Sequence, residues 1–127
     1  MQLNQITLPA LDVEAARDFY IKLGFTLIVD GNLYVRLQAP KSGTTLSMQK
    51  VEYLPQGPCP KIYLECQSAA ALDQQVKAFE AKGIAFDTLP TDQSWLWREA
   101  WLCDPAGNKV CLYYAGENRL NPPWRVE

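Results

Sequence analysis

The chain has 127 residues, 48% of them apolar, and its twelve Lys and Arg against fourteen Asp and Glu leave a net charge of -2. This length suits one compact domain with its own core, and the charge balance excludes the basic field that a phosphate backbone rewards. No apolar run approaches the ~20 residues that span a bilayer, so neither nucleic acid nor membrane is an expected partner.

Leu3-Asn4-Gln5-Ile6-Thr7-Leu8 alternates apolar and polar residues as a half-buried strand does. A helix is predicted next. Asp12 is placed to cap it, Glu14 suits its positive end, and Ala16, Phe19, Tyr20 and Leu23 share one face before Gly24 stops it. Three strands are predicted to follow, at about Phe25 to Val29, Leu33 to Gln38 and Thr44 to Gln49, separated by Asp30-Gly31 and Ser42-Gly43 turns. Residues 51–60 hold Pro55, Gly57, Pro58 and Pro60 and read as a linker. The order then recurs: a strand over Lys61 to Cys66, a helix capped by Ser68 with Leu72, Val76 and Phe79 on its apolar face, Gly83 as its stop, and strands at about Ile84 to Leu89, Trp95 to Cys103 and Asn108 to Tyr114.

Gln5-Ile6-Thr7-Leu8 aligns with Lys61-Ile62-Tyr63-Leu64, Gly24-Phe25 with Gly83-Ile84, and Gly43-Thr44-Thr45-Leu46 with Gly107-Asn108-Lys109-Val110, at offsets of 56, 59 and 64. The expected fold class is therefore α+β, with two tandem βαβββ modules over residues 1–50 and 61–115, a tail over 116–127, and one structural domain overall. Two such sheets side by side would form a curved mixed sheet around a cleft. With Ile6 and Leu8 under the helix, Gln5 and Thr7 face that cleft; by the same alternation so do Lys61, Tyr63 and Glu65, and Lys109, Cys111 and Tyr113. If Leu96, Ala100 and Leu102 form the packed face of the seventh strand, Trp97, Glu99 and Trp101 face inward. Arg98 then lies on the helix side and needs a counter-charge there.

Two motifs resemble the glyoxalase, bleomycin-resistance and extradiol-dioxygenase group, the vicinal oxygen chelate superfamily. One is Asp12-Val-Glu-Ala-Ala-Arg-Asp-Phe-Tyr-Ile-Lys-Leu-Gly-Phe25, similar to the family's acidic cap, aromatic pair and Leu-Gly-Phe exit. The other is Asp104-Pro-Ala-Gly-Asn108, similar to its Asp-Pro-x-Gly-Asn turn. The resemblance implies two βαβββ modules, a homodimer, and a metal on the inner faces of the first and last strands of each module. The family's ligand positions fall here on Gln5, Ser47, Lys61 and Cys111. Gln5 and Cys111 are chemically able to bind a metal. An ammonium has no acceptor, and its charge at ~4 Å from a divalent ion is repelled by several kcal/mol even when screened. No metal and no other cofactor is therefore expected.

Three functional readings follow. In the first, the chain binds a small anionic or planar organic molecule without a metal: Gln5 and Lys61 make polar contacts, and Tyr63, Trp97, Trp101 and Tyr113 form apolar walls beside Glu99 and Cys111. In the second, it is a lyase or isomerase of the superfamily, with Glu99 or Glu65 as base and Lys61 stabilising an enolate; Cys111 and Cys103 are candidate thiol nucleophiles. In the third, it is a non-catalytic dimeric scaffold. Tyr34, Arg36 and Gln49 are secondary candidates. Lys61 alternatively pairs with Glu65 or Glu99. In the tail, Pro122 and Pro123 are expected to stiffen an extended arm carrying Trp124, which latches over the cleft or a partner or docks on its own domain. Met1-Gln2-Leu3-Asn4 lacks the pattern of an export signal, so the expected location is cytoplasmic. Cys59, Cys66, Cys103 and Cys111 follow no CxxC spacing and are expected as reduced thiols. The absence of histidine removes the commonest metal ligand and the usual side chain that titrates near neutrality.

Overall fold

The computed structural model describes residues 1–126; Glu127, the last residue of the expected tail, lies outside the described residues. The chain is α+β, with two βαβββ modules that each build a four-stranded mixed sheet. It divides into two compact units, Met1–Pro60 with Asp104–Asn108, and Lys61–Cys103 with Lys109–Glu127.

In the first unit β1 (Gln5–Ala10) is followed by α1 (Val13–Lys22), β2 (Thr26–Asp30), β3 (Tyr34–Gln38) and β4 (Thr45–Lys50). The sheet order is β1-β4-β3-β2, with β1 parallel to β4 and the other pairs antiparallel. Asp12 caps α1 by accepting from the Ala15 N–H at 3.0 Å, a contact that satisfies one of the orphan donors of the first turn. After the helix, Gly24 takes φ +97°, a conformation that costs glycine nothing and a β-carbon a good deal. Alternation then sorts the sheet. Leu8, Ala10, Val35, Leu37, Leu46 and Met48 are buried together with Ala16 and Tyr20 of α1. Ile6, expected under the helix with Leu8, is instead 45% exposed, because α1 packs on β2, β3 and β4 and leaves this part of β1 uncovered.

The Asp104-Pro-Ala-Gly-Asn108 turn belongs to the first unit. Buried Tyr20 donates its phenol hydrogen to Asp104 Oδ2 at 2.7 Å. The Asn108 amide donates to the same oxygen at 2.8 Å, and the backbone N–H groups of Ala106 and Asn108 donate to Oδ1 at 2.9 and 2.8 Å. The carboxylate is thus fully occupied, as a buried charge must be. Burial first, and the Asp104 charge second, push the Tyr20 phenol far above its ordinary range, so it stays a donor.

The second unit repeats the order with β5 (Lys61–Glu65), α2 (Ala69–Ala81), β6 (Thr88–Asp92), β7 (Arg98–Cys103) and β8 (Lys109–Tyr114), arranged β5-β8-β7-β6. Ser68 caps α2 through the Ala71 N–H at 3.0 Å, and Gly83 takes φ +86°. The ladders settle the repeat residue by residue: Gln5 faces Thr45 in the first sheet as Lys61 faces Lys109 in the second. The offsets of 56 and 64 are therefore those of β1 to β5 and of β4 to β8.

Three further expectations need correction. The sixth strand begins at Thr88 and not at Ile84, because the buried Ile84 stays with the helix exit, its N–H bonded to the Phe79 carbonyl at 3.1 Å. The seventh strand begins at Arg98. Trp95 and Leu96 lie in a tight turn closed by the Leu96 N–H to Gln93 carbonyl bond at 3.0 Å, with Leu96 at φ +71° and 48% exposed, not in the packed face. In the tail, Pro122 to Arg125 is a turn closed by the Arg125 N–H to Pro122 carbonyl bond at 3.0 Å, not an extended arm.

The counter-charge that Arg98 requires is supplied by α2. Its guanidinium meets both oxygens of Asp73, at 2.9 and 3.3 Å, and Asp92 Oδ1 at 3.0 Å. Among the described residues no helix is long and apolar enough to cross a membrane. Removing the Tyr20 hydroxyl strips one donor from a buried carboxylate, so Tyr20→Phe is expected to cost about 1–3 kcal/mol in urea denaturation, whereas Phe19→Tyr, which leaves the Tyr20 phenol in place, should cost less.

Candidate functional site

The helix-free face of the second sheet carries the densest group of predicted site residues. Register places Lys61 and Tyr63 of β5, Lys109, Cys111 and Tyr113 of β8, and Glu99 and Trp101 of β7 on one side, because paired residues share a face. Tyr63 sits at the centre. Its ring meets Trp97, Trp101 and Tyr113 edge-on, with centroids 6.1, 5.6 and 5.7 Å away, while Trp97 and Tyr113 stack at 4.6 Å and 17°. These are the geometries that ring quadrupoles favour. Tyr63 remains 45% exposed above the buried Cys111.

Glu99 is only 4% exposed, and it is held by the aromatic group itself. The Trp95 indole N–H donates to Oε2 at 2.7 Å and the Trp101 indole N–H to Oε1 at 2.9 Å. Sequence reading placed Glu99 and Trp101 on one face but did not link Trp95 to them. That link depends on the turn at Leu96, which swings the Trp95 ring back over the carboxylate.

Lys61 is exposed, and its Nζ lies 5.8 Å from the Trp101 ring centroid, within cation–π range. Among the described residues it forms no ion pair. Glu65, one of its two expected partners, is otherwise engaged: Oε2 accepts from the N–H groups of Ala115 and Gly116 at 3.0 and 2.9 Å, and Oε1 lies 3.4 Å from Arg119 Nε. The stretch after β8 is a short 3-10 helix, Gly116–Arg119, docked on its own unit by these contacts and by the Trp97 indole N–H to the Asn118 carbonyl at 3.4 Å. Trp124 is 57% exposed.

The thiols differ in setting. Burial first and the Glu99 charge second push the Cys111 thiol up to about 12. Cys103 lies 3.0 Å from Lys109 Nζ and donates to Asp87 Oδ2 at 3.1 Å. All four cysteines are free.

On the first unit, the corresponding face is polar. Gln5 is exposed, and its amide oxygen accepts from the Thr45 hydroxyl at 2.9 Å. Ser47 is fully buried with its Oγ 2.6 Å from the Tyr34 phenol, and Arg36 Nε donates to that phenol at 3.1 Å. The hydrogen bond with Ser47 first, and that from Arg36 second, lower the Tyr34 phenol from its ordinary value. Gln49 is exposed opposite Tyr34. Sequence reading named Tyr34, Arg36 and Ser47 without joining them; the i, i+2 spacing of Tyr34 and Arg36 was the available signal. Two surface depressions lie away from both faces. One, of about 480 Å³, adjoins the start of α1 near Arg17 and Lys50, and the other, of about 220 Å³, lies between α2 and β6.

Residues 2–112 match the family model described as the Glyoxalase/Bleomycin resistance protein/Dioxygenase superfamily. Comparison with curated proteins gives no match. Among solved structures, a glyoxalase/bleomycin resistance protein/dioxygenase from Nocardioides has a TM-score of 0.83 at 22% identity, covering 100% of this chain and 90% of its own. A superfamily member from Sphaerobacter thermophilus has a TM-score of 0.69 at 26% identity, covering 90% and 97%. A lactoylglutathione lyase from Agrobacterium tumefaciens has a TM-score of 0.75 at 17% identity, covering 89% and 92%.

Two outcomes test the site geometry. Glu99→Gln replaces one acceptor by an amide donor, so one indole N–H loses its partner; a loss of about 1–3 kcal/mol, with a shift in tryptophan emission, is expected in denaturation followed by fluorescence. At pH 8 native Cys111 should react with iodoacetamide far more slowly than exposed Cys59, because burial excludes the reagent and pushes the Cys111 thiol up to about 12, as peptide mass mapping would read.

Proposed function

The chain belongs to the glyoxalase/bleomycin resistance protein/dioxygenase superfamily, and from that premise we propose that it binds a small, planar, anionic organic molecule on the helix-free face of its second sheet, without the superfamily's metal. The observation that carries this reading is an exposed lysine beside a preorganised aromatic group. Lys61 Nζ is 5.8 Å from the Trp101 ring, and Tyr63, Trp97 and Tyr113 extend the apolar surface from there. A planar guest stacks on the exposed ring of Tyr63 while its anionic group meets the ammonium. Glu99, with both oxygens engaged by indoles, serves here as the positioning residue for the aromatic surface; this occupancy supports binding over a reading in which Glu99 is a general base.

The chemistry of the donors supports a metal-free site. Among the positions implied by the family, Lys61 offers only donors, and the Ser47 hydroxyl is buried against Tyr34. Among the described residues no group of three His, Cys, Asp or Glu is placed to hold a metal ion. The residues present do not fit a divalent cation. The reading also takes the protein to act in the cytoplasm, as a homodimer, with each module contributing to one domain.

All four tryptophans lie beyond residue 94, so their emission reports on the second unit. Titration with 2-naphthoate is expected to quench it saturably, and Lys61→Gln to weaken binding by about tenfold, the loss of one charge-assisted contact. Lys61→Gln binding as tightly as the parent, or protein prepared without chelator retaining one equivalent of zinc or nickel, would overturn the proposal.

A further inference from the structure

The first unit carries a second feature that the reading above does not use. Across β1, β4 and β3, register places Gln5, Thr7, Thr45, Ser47, Gln49, Tyr34, Arg36 and Gln38 on the helix-free face. Arg36 is the only charged residue among them. It is half-buried, and among the described residues it forms no ion pair. Its neighbours also fix its direction. Nε is spent on the Tyr34 phenol at 3.1 Å, the guanidinium carbon lies 5.6 Å from the Tyr34 ring centroid, and the phenol is itself anchored to buried Ser47 at 2.6 Å. A guanidinium tethered through Nε keeps its two terminal NH2 groups as a fork, the arrangement that matches two oxygens of one anion.

A half-buried cation costs solvation that nothing on this face repays with opposite charge. Elsewhere in the chain the comparable arginines are neutralised: Arg17 by Asp18 and Asp30, and Arg98 by Asp73 and Asp92. In the second sheet the position equivalent to Arg36 is Trp101, since Arg36 faces Ser47 as Trp101 faces Cys111. The two modules thus present different chemistry at the same place in the repeat. From this placement we infer that Arg36, oriented by Tyr34 and Ser47, is an oxyanion-binding site of the first unit that takes the two oxygens of a carboxylate or a phosphate group.

The test follows the Arg36 side-chain Nε–Hε resonance in ¹⁵N-labelled full-length protein, assigned by its loss in Arg36→Lys. Sodium acetate and inorganic phosphate are titrated separately, with chloride holding ionic strength constant because exposed charges are screened by salt. Saturable movement of the resonance with acetate alone identifies a carboxylate site, with phosphate alone a phosphate site, and with both a general oxyanion site. For Arg36→Lys, read from neighbouring backbone amides, an affinity loss of about tenfold is expected although the charge is kept, because the fork is lost. Tyr34→Phe should weaken binding about threefold by releasing Nε. Matched thermal unfolding curves for the variants separate lost binding from lost fold. Absence of any saturable shift with either anion up to about 50 mM, well beyond the mM affinities expected of single-group ligands, would overturn the inference, as would unchanged affinity in Arg36→Lys. The Arg36 resonance reports on the first unit and tryptophan quenching on the second, so failure here and failure of the naphthoate test are separate results.

Discussion

A carboxylate buried among aromatic rings organises the second unit. Glu99 is taken out of water, and each oxygen is repaid by one indole N–H, from Trp95 and from Trp101. That requirement accounts for several features together. Trp101 aims its nitrogen at Glu99 Oε1 and presents its ring to Lys61, whose Nζ lies 5.8 Å from the centroid. Trp95 must reach back from outside the strand, and the positive φ of Leu96 accompanies that return. Among the described residues no buried side-chain nitrogen or oxygen is without a partner, so the polar atoms beneath the rings are satisfied.

The two modules share a ladder and differ in what they mount on it. Equivalent positions carry Gln5 and Lys61, Ser47 and Cys111, Arg36 and Trp101, Tyr34 and Glu99. The buried helix-facing residues are apolar in both sheets, among them Leu8, Leu37 and Met48 in the first and Ala100, Val110 and Leu112 in the second, since they fill a core that must pack densely whatever the function; Arg98 shares that side only because Asp73 of α2 neutralises it. The opposite face is free of that demand, so it became polar in one unit and aromatic in the other.

Most of the fold was readable from spacing. Asp12, Gly24, Ser68 and Gly83 punctuate both helices as their chemistry requires, and alternation sorts β1, β5 and β8 into two faces. The expectation that Arg98 lies on the helix side and needs a counter-charge is met by Asp73, one turn into α2. Long-range partners were not legible. Periodicity assigns a side chain to a face but says nothing about which atoms meet across it, so the i, i+2 spacing puts Tyr34 and Arg36 on one side without joining them to Ser47, and the Trp95 return has no signature in the sequence. The start of β6 was misplaced for a related reason. Ile84 has the apolar character of a strand residue, but tertiary contact uses it to close α2. The proline pair of the tail suggested extension, whereas Pro122 to Arg125 folds back on itself, with Arg125 held by Asn121.

Trp97 belongs to two neighbourhoods at once. The face of its ring stacks on Tyr113, and its nitrogen donates to the carbonyl of Asn118 in the segment after β8. Glu65 grips the beginning of that same segment at Ala115 and Gly116. A rotamer change in this one indole is therefore not a local event. It would break the 3.4 Å bond to Asn118 as well as the stack on Tyr113, leaving Glu65 to hold Gly116–Arg119 on the sheet.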